Sequence, residues 1–230
     1  MTCAQTIAGE EDSSLKIIFE KLSVYDSPMG NLPASDVTAS ILAGGKSTRM
    51  GTDKAFVEFE GRTLLARALD LGRSVSADVR IIGSTQKFAS FASVVEDVFR
   101  GCGPLAGIHA ALLASPTDLN LILAVDTPFI SHAFLEYLVE QSKQASALAV
   151  VPHCDDHCQP LCAIYRRGFA VAAENALRAG QNKIDPLFGV VPTRTIQQDE
   201  LKNAGFGLGM FRNLNTPQEL KSRRESIDAV

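Results

Sequence analysis

The sequence predicts an α/β domain in which a mostly parallel sheet is wound on both faces by helices. Three observations predict it. Short β-rich runs alternate with helical segments from residue 37 onward, the pattern of a parallel sheet with crossover helices. No internal repeat or linker divides that stretch, so a single domain accounts for it. The chain has 230 residues, 46% hydrophobic and 21% charged, enough for a sizeable core and unlike collagen-like, coiled-coil or wholly disordered compositions.

In chain order, the first strand is expected over 37–43, Val-Thr-Ala-Ser-Ile-Leu-Ala. A helix over 63–75 places Leu64, Leu65, Ala68, Leu69 and Gly72 on one face. Strands over 79–84 and 93–95 follow, then a helix over 104–114 and a strand over 119–125. The helix over 131–144 opens on Ser131 as its cap and carries Phe134, Leu135, Leu138 and Val139 at helical spacing. Strands over 147–152 and 161–165, a helix over 169–179 and a strand over 193–197 complete the alternation. A last helix over 217–224 opens on Thr216-Pro217, a cap followed by the proline favoured at the first helical position.

Residues 1–36 read as a separate acidic, Ser-rich extension, with Pro28, Gly30 and Pro33 near its end. Leu15, Ile17, Ile18, Phe19 and Leu22 could form one short amphipathic helix there, though isolated helices of that length are marginal in water. Met29 is an alternative start. The extension holds two basic and six acidic residues, whereas residues 37–230 hold 20 of each, so the formal charge of −4 lies entirely in the extension. Without a basic excess, electrostatic nucleic-acid binding is not expected. The longest apolar runs, such as Leu121 to Val125, fall far short of the ~20 residues that span a membrane. Five cysteines (Cys3, Cys102, Cys154, Cys158, Cys162) fit free thiols in a reducing compartment, and the amino terminus lacks a secretory pattern, so the expected location is cytoplasmic.

Three segments carry chemistry. The first follows the first strand directly: Leu42-Ala43-Gly44-Gly45-Lys46-Ser47-Thr48-Arg49-Met50-Gly51-Thr52-Asp53-Lys54. A glycine pair at a strand's carboxyl end lets backbone N–H groups approach phosphates, while Arg49 and Lys54 can neutralise a polyphosphate. A P-loop fails on register, because its first glycine would fall at Ser40, inside the strand. The plain alternative is a tight turn that needs glycine for a positive φ. The second segment is Leu121-Ile122-Leu123-Ala124-Val125-Asp126-Thr127-Pro128, where a carboxylate ends a buried strand at the sheet edge that binds ligands in open α/β folds. Asp126 there is a candidate Mg²⁺ ligand or, alternatively, a turn or capping residue. The third is Glu96-Asp97 followed by Gly103-Pro104-Leu105-Ala106-Gly107, a carboxylate beside a small wall that suits a nucleoside.

Together with Gln159-Pro160-Leu161 and Asn213-Leu214-Asn215-Thr216-Pro217, these motifs in this order resemble the molybdenum cofactor guanylyltransferases of the MobA-like nucleotidyltransferases. The resemblance spans residue 37 to the last helix and does not include the extension. It implies a three-layer, Rossmann-like sheet that binds GTP with Mg²⁺ and transfers GMP to the terminal phosphate of the molybdenum-pterin cofactor, releasing pyrophosphate. Carried over by motif, Leu42, Ala43, Gly44 and Gly45 would line the nucleotide, Lys54 would bind its phosphates, Asp97 would contact it and Asp126 would hold Mg²⁺. Arg49, Lys54 and Asp126 would be the catalytic set. An anionic phosphate nucleophile needs no strong general base, and fixed cations, a metal and backbone donors carry such a reaction. Leu-Ala-Gly-Gly rather than Leu-Ala-Ala-Gly favours guanine over cytosine. Molybdoenzymes or their chaperones are the implied recipients of the product.

Two departures stand out: Gly83-Ser84 replaces an Asn common after the second strand, and Gln159 replaces the His of His-Pro-Leu. The other readings retained are a cytidylyl- or sugar-phosphate nucleotidyltransferase and a non-catalytic GTP- or cofactor-binding delivery protein. His153-Cys154-Asp155-Asp156-His157-Cys158 holds four zinc-ligand residue types, but structural zinc sites draw ligand pairs from separated segments, so a polar turn near the acceptor site is expected instead. Asn213 and Asn215 could orient the pterin, assist metal hydration or cap the last helix, and Arg166-Arg167 are solvated charges or face an anionic acceptor.

Overall fold

The computed structural model describes residues 36–44 and 53–213 of the chain. The amino-terminal extension up to residue 35, Gly45, Arg49 and the helix expected over 217–224 lie outside the described residues. The strands are β1 (Val37–Leu42), β2 (Glu58–Phe59), β3 (Arg62–Thr63), β4 (Asp78–Ile82), β5 (Ser93–Val95), β6 (Leu119–Ala124), β7 (Ala149–Cys154), β8 (His157–Cys158), β9 (Cys162–Arg166) and β10 (Thr193–Ile196). The helices are α1 (Leu64–Arg73), α2 (Thr85–Phe88), α3 (Pro104–Ala114), α4 (His132–Gln144), α5 (Phe169–Arg178) and α6 (Gln198–Asn203). The main sheet runs β10-β7-β9-β6-β1-β4-β5, with β8 added beside β7. All neighbours pair in parallel except across β9 and β8, which run antiparallel to the strands beside them.

Alternation along the strands divides the core into two layers. Ala39 and Ile41 of β1 and Leu119, Leu121 and Leu123 of β6 meet Leu64, Leu65 and Leu69 of α1 and Phe134, Leu135 and Leu138 of α4. On the other face Ile82, Ile122 and Tyr165 meet Leu105, Ile108 and Leu112 of α3 and Phe169, Ala173 and Leu177 of α5. The result is the expected three-layer arrangement.

Local chemistry sets the element ends. Thr63 caps α1 by accepting from Ala66 N, and Ser131 caps α4 by accepting from Phe134 N at 3.2 Å. α1 comes close to the sheet because Gly72 lies over it: a Cβ there would meet Val79 at 3.2 Å and Ala39 at 3.4 Å. Several short elements escaped the sequence reading, including the β2–β3 hairpin, α2 and α6. The expected strand over 147–152 instead runs to Cys154. Pro152 does not end it, since β8 folds back on it across Asp155 and Asp156, both at positive φ as a tight hairpin turn requires.

His109 of α3 is buried, with neither ring nitrogen partnered by another protein atom and with its ring edge-on to Phe99 at 5.3 Å. Burial lowers its pKa from 6.5; of the charges on the packed α5, Glu174 opposes that shift and Arg178 adds to it. The unfolded chain therefore takes up this proton first as the pH falls. Stability is full above about pH 6.5 and declines below it. Thermal melts at pH 7 and pH 5 should show that His109→Leu removes part of the acid loss seen in the wild type, by a few degrees.

Candidate active site

Because β1, β4, β5 and β6 are parallel, their carboxyl ends share one edge of the sheet. The main chain closes that edge: Val125 N donates to Leu42 O at 3.2 Å, tying the end of β6 to the end of β1. Lys54 stands in a single 3₁₀ turn, Lys54–Phe56, whose start is capped by Asp53 accepting from Ala55 N at 3.2 Å. Its ammonium reaches across the edge to Asp126 Oδ2 at 3.0 Å, and both side chains are largely shielded from solvent. Two residues 72 positions apart, singled out for phosphate and metal binding, thus form one ion pair. Asp126 does not cap the next helix, a role taken by Ser131, and Thr127 Oγ1 closes the turn on Ala124 O at 2.9 Å.

Over the ends of β1, β4 and β5 opens a cavity of about 350 Å³ that reaches Asp53, next to Lys54 in the chain, and is lined by neither member of this pair. Ala43 and Gly44 form one wall, Gly83, Ser84 and Lys87 a second, and Glu96, Asp97 and Arg100 a third. Burial, with Glu96 next to it, raises the Asp97 pKa. Glu96 is held by Thr85 N at 2.9 Å, and that hydrogen bond lowers its own pKa. Lys87 Nζ donates to Asp53 Oδ2 at 2.8 Å, linking α2 to the residues preceding Lys54. Lys87 and Arg100 were missed in the sequence; Lys87 sits on a four-residue helix, too short to show periodicity.

Several expectations change in detail. The N–H groups of Ala43 and Gly44 both donate to Ile82 O at 3.1 Å, so neither is the phosphate donor envisaged for this turn. Gly44 is not at positive φ, so it is not a turn glycine of necessity. Among the described residues a Cβ at Gly44 would meet Ile82 O at 3.6 Å and Gly83 Cα at 3.7 Å, ordinary contacts. The missing side chain therefore leaves room in the cavity rather than solving a packing problem. Gly44→Ala should leave the melting temperature within about 2 °C and, for a nucleotide that fills the cavity, raise the apparent Kd several-fold; titration by thermal shift checks both. Leu42 does not line this cavity. It packs against α3, where a Cβ on Gly107 would meet Leu42 Cδ2 at 3.4 Å.

Gly83, in place of the expected Asn, lies under the Phe88 ring: a Cβ would meet it at 3.0 Å. Arg166 stands at the opposite end of the sheet from Asp126, pairing with Asp118 and donating to Ser142 O in the last turn of α4 and to Ala145 O just after it, so it does not face a ligand at the carboxyl edge. In the β7–β8 hairpin His153 pairs with Cys158 and Cys154 with His157. The two pairs project to opposite faces, so the four cannot converge on one ion. Among the described residues no group of three or more His, Cys, Asp or Glu could hold a metal, and no helix is long and apolar enough to cross a membrane.

Comparison with known proteins places this geometry in a family. The chain is 35% identical over 189 residues to a probable molybdenum cofactor guanylyltransferase of Pelotomaculum thermopropionicum, covering 81% of this chain and 91% of that one. It is 34% identical to a molybdenum cofactor guanylyltransferase of Desulfosudis oleivorans, covering 84% and 96%. The crystal structure of molybdopterin-guanine dinucleotide biosynthesis protein A from Archaeoglobus fulgidus superposes with a TM-score of 0.72 at 27% identity, covering 84% of this chain and all of that one. The family model of the MobA-like NTP transferase domain matches residues 39–191, a span that contains the Lys54–Asp126 pair, the cavity and the antiparallel β9. The chain therefore belongs to the MobA-like NTP transferases.

Proposed function

We propose that this protein is a molybdenum cofactor guanylyltransferase, which transfers GMP from GTP to the terminal phosphate of the molybdenum-pterin cofactor and releases pyrophosphate. The observation that carries the reading is the Lys54–Asp126 pair at the carboxyl edge beside a cavity walled by Gly44 and Asp97. The cavity takes the nucleoside, with Gly44 leaving space for the base and Asp97 offering an acceptor to its N–H groups or to a ribose hydroxyl. Lys54 meets the phosphates from the other side of the edge.

The residues suit a metal of one chemistry. Asp126 is a single carboxylate, and Mg²⁺ commonly takes one or two, completing its shell with phosphate oxygens and water. Asp126 would hold Mg²⁺, which when bound supplies charge to the α-phosphate and the leaving group. In the transfer, an oxygen of the acceptor's terminal phosphate forms a bond to the α-phosphorus while the bond from that phosphorus to the bridging oxygen of pyrophosphate breaks. The nucleophile is already anionic near neutral pH, so no side chain need take a proton. Lys54 neutralises the triphosphate as it enters, and its own pairing with Asp126 keeps both groups in place beforehand.

Pyrophosphate release measured with the pterin cofactor, Mg²⁺ and each nucleoside triphosphate in turn tests the reading. Release with GTP that depends on the pterin is expected. Release with CTP alone would make the chain a cytidylyltransferase, release that follows a sugar phosphate would change the acceptor, and GTP binding without release would make it a delivery protein.

A further inference from the structure

Asp53 puts a carboxylate directly before Lys54, the cation that is to meet the triphosphate, and the proposed reaction makes no use of it. Its side chain is only 20% exposed, so water and salt screen its charge incompletely. Its two oxygens have separate tasks. Oδ1 accepts from Ala55 N at 3.2 Å and so caps the single turn, Lys54–Phe56, that carries Lys54. Oδ2 accepts from Lys87 Nζ at 2.8 Å, from α2 on the cavity wall. The turn is seated against the same part of the molecule by its rings: Phe56 stands 5.8 Å from Phe88 of α2 and 5.8 Å from Phe91 beyond it, while Ala55 is fully buried. Lys87 lies 34 positions from Asp53 and reaches it because α2 follows β4, the strand paired with β1.

An acid beside a phosphate-binding lysine works against it. Left uncompensated, Asp53 would repel an incoming polyanion and would offer the Lys54 ammonium a second carboxylate in competition with Asp126. We infer that Lys87 is a positioning residue: by holding Asp53 Oδ2 it lets Asp53 cap the Lys54 turn without adding negative charge to the site, and so keeps the Lys54 ammonium on Asp126 and open to phosphate. This rests on the role proposed for Lys54 toward GTP. Lys87 acts through Asp53 and does not itself touch the nucleotide. That separates it from a plain cation on the cavity wall, whose effect would not depend on which residue stands at position 53.

The test is a double-mutant cycle on the full chain, read in the apparent Kd for GTP titrated with Mg²⁺ present. Lys87→Met keeps an unbranched side chain and removes the charge. It is expected to raise Kd about fivefold in the wild-type background and less than about twofold in the Asp53→Asn background. In that second background the amide oxygen still caps Ala55 N, and no acid is left to compensate. The melting temperature without nucleotide should move by no more than about 2 °C in Lys87→Met, since a partly exposed pair contributes little to stability. An equal rise in both backgrounds would make Lys87 a direct phosphate ligand and overturn the inference, and so would an unchanged Kd in Lys87→Met alone. Pyrophosphate release with the pterin acceptor is measured on the same proteins. A wild-type protein that shows the cycle but makes no product would sink the proposed guanylyl transfer and leave the inference standing. Product formation without the cycle would do the reverse, and a wild-type protein that binds no GTP would overturn both.

Discussion

Asp126→Ala is expected to lower kcat by about 10³-fold or more while leaving the folded structure and melting temperature nearly unchanged. Asp126 ends a strand that is already complete: β6 stops at Ala124, and Val125 N is satisfied by Leu42 O. Among the described residues its carboxylate pairs with Lys54 at 3.0 Å, and ion pairs that keep some access to solvent contribute little to stability. Removing it leaves the sheet intact but takes from the edge the oxygen proposed to hold the metal. The loss must appear in turnover, measured as pyrophosphate release at saturating GTP. Asp126→Asn should behave similarly, because the amide keeps the shape without the charge. Near-normal turnover in Asp126→Ala would remove the residue from the catalytic set.

The largest expected stability effect is at Phe134. Its ring is fully buried at the first turn of α4, and two further rings stand edge-on to it, Phe206 at 5.3 Å and Phe211 at 5.4 Å. Phe134→Ala removes a large buried side chain and the partner of both rings, and should cost about 3–5 kcal/mol, or about 10 °C or more in melting temperature for a domain of this size. Chemical denaturation with an unchanged slope and a lower midpoint would show lost packing rather than a new denatured state.

How much of this was legible beforehand follows from the length and periodicity of each element. α1 and α4 were readable because each shows an apolar stripe behind a Thr or Ser cap. α3 matched its expected bounds, although it is apolar nearly all round, because Pro104 and Ser115 bracket it. α2 and α6 are four and six residues long, too short for a period to emerge, and they were missed. The site divides in the same way. Asp126 and Lys54 stood out because each lies just past a recognisable strand or glycine turn. That their side chains meet could not be read, since the contact depends on β1 and β6 being neighbours. Likewise, nothing local shows that Ile82 O takes the N–H groups of both Ala43 and Gly44; that follows from the pairing of β1 with β4. The His-Cys stretch was expected as a polar turn, and the hairpin register adds that its two His-Cys pairs lie on opposite faces.

The neutral balance of residues 37–230 sharpens the electrostatic argument. With 20 basic and 20 acidic residues, that part of the chain has no net charge to draw in a polyanion. Attraction must be local, at Lys54, Lys87 and Arg100 on the described edge and at the carboxylate that would hold the metal.

The most direct measurement is the mass of the pterin product after incubation of the purified protein with the molybdate-loaded pterin cofactor, GTP and Mg²⁺. The account predicts a pterin-guanine dinucleotide that forms with GTP, increases with enzyme concentration and is absent with Asp126→Ala. A pterin recovered at its starting mass while GTP is bound, or a dinucleotide that forms equally well with Asp126→Ala, would contradict it.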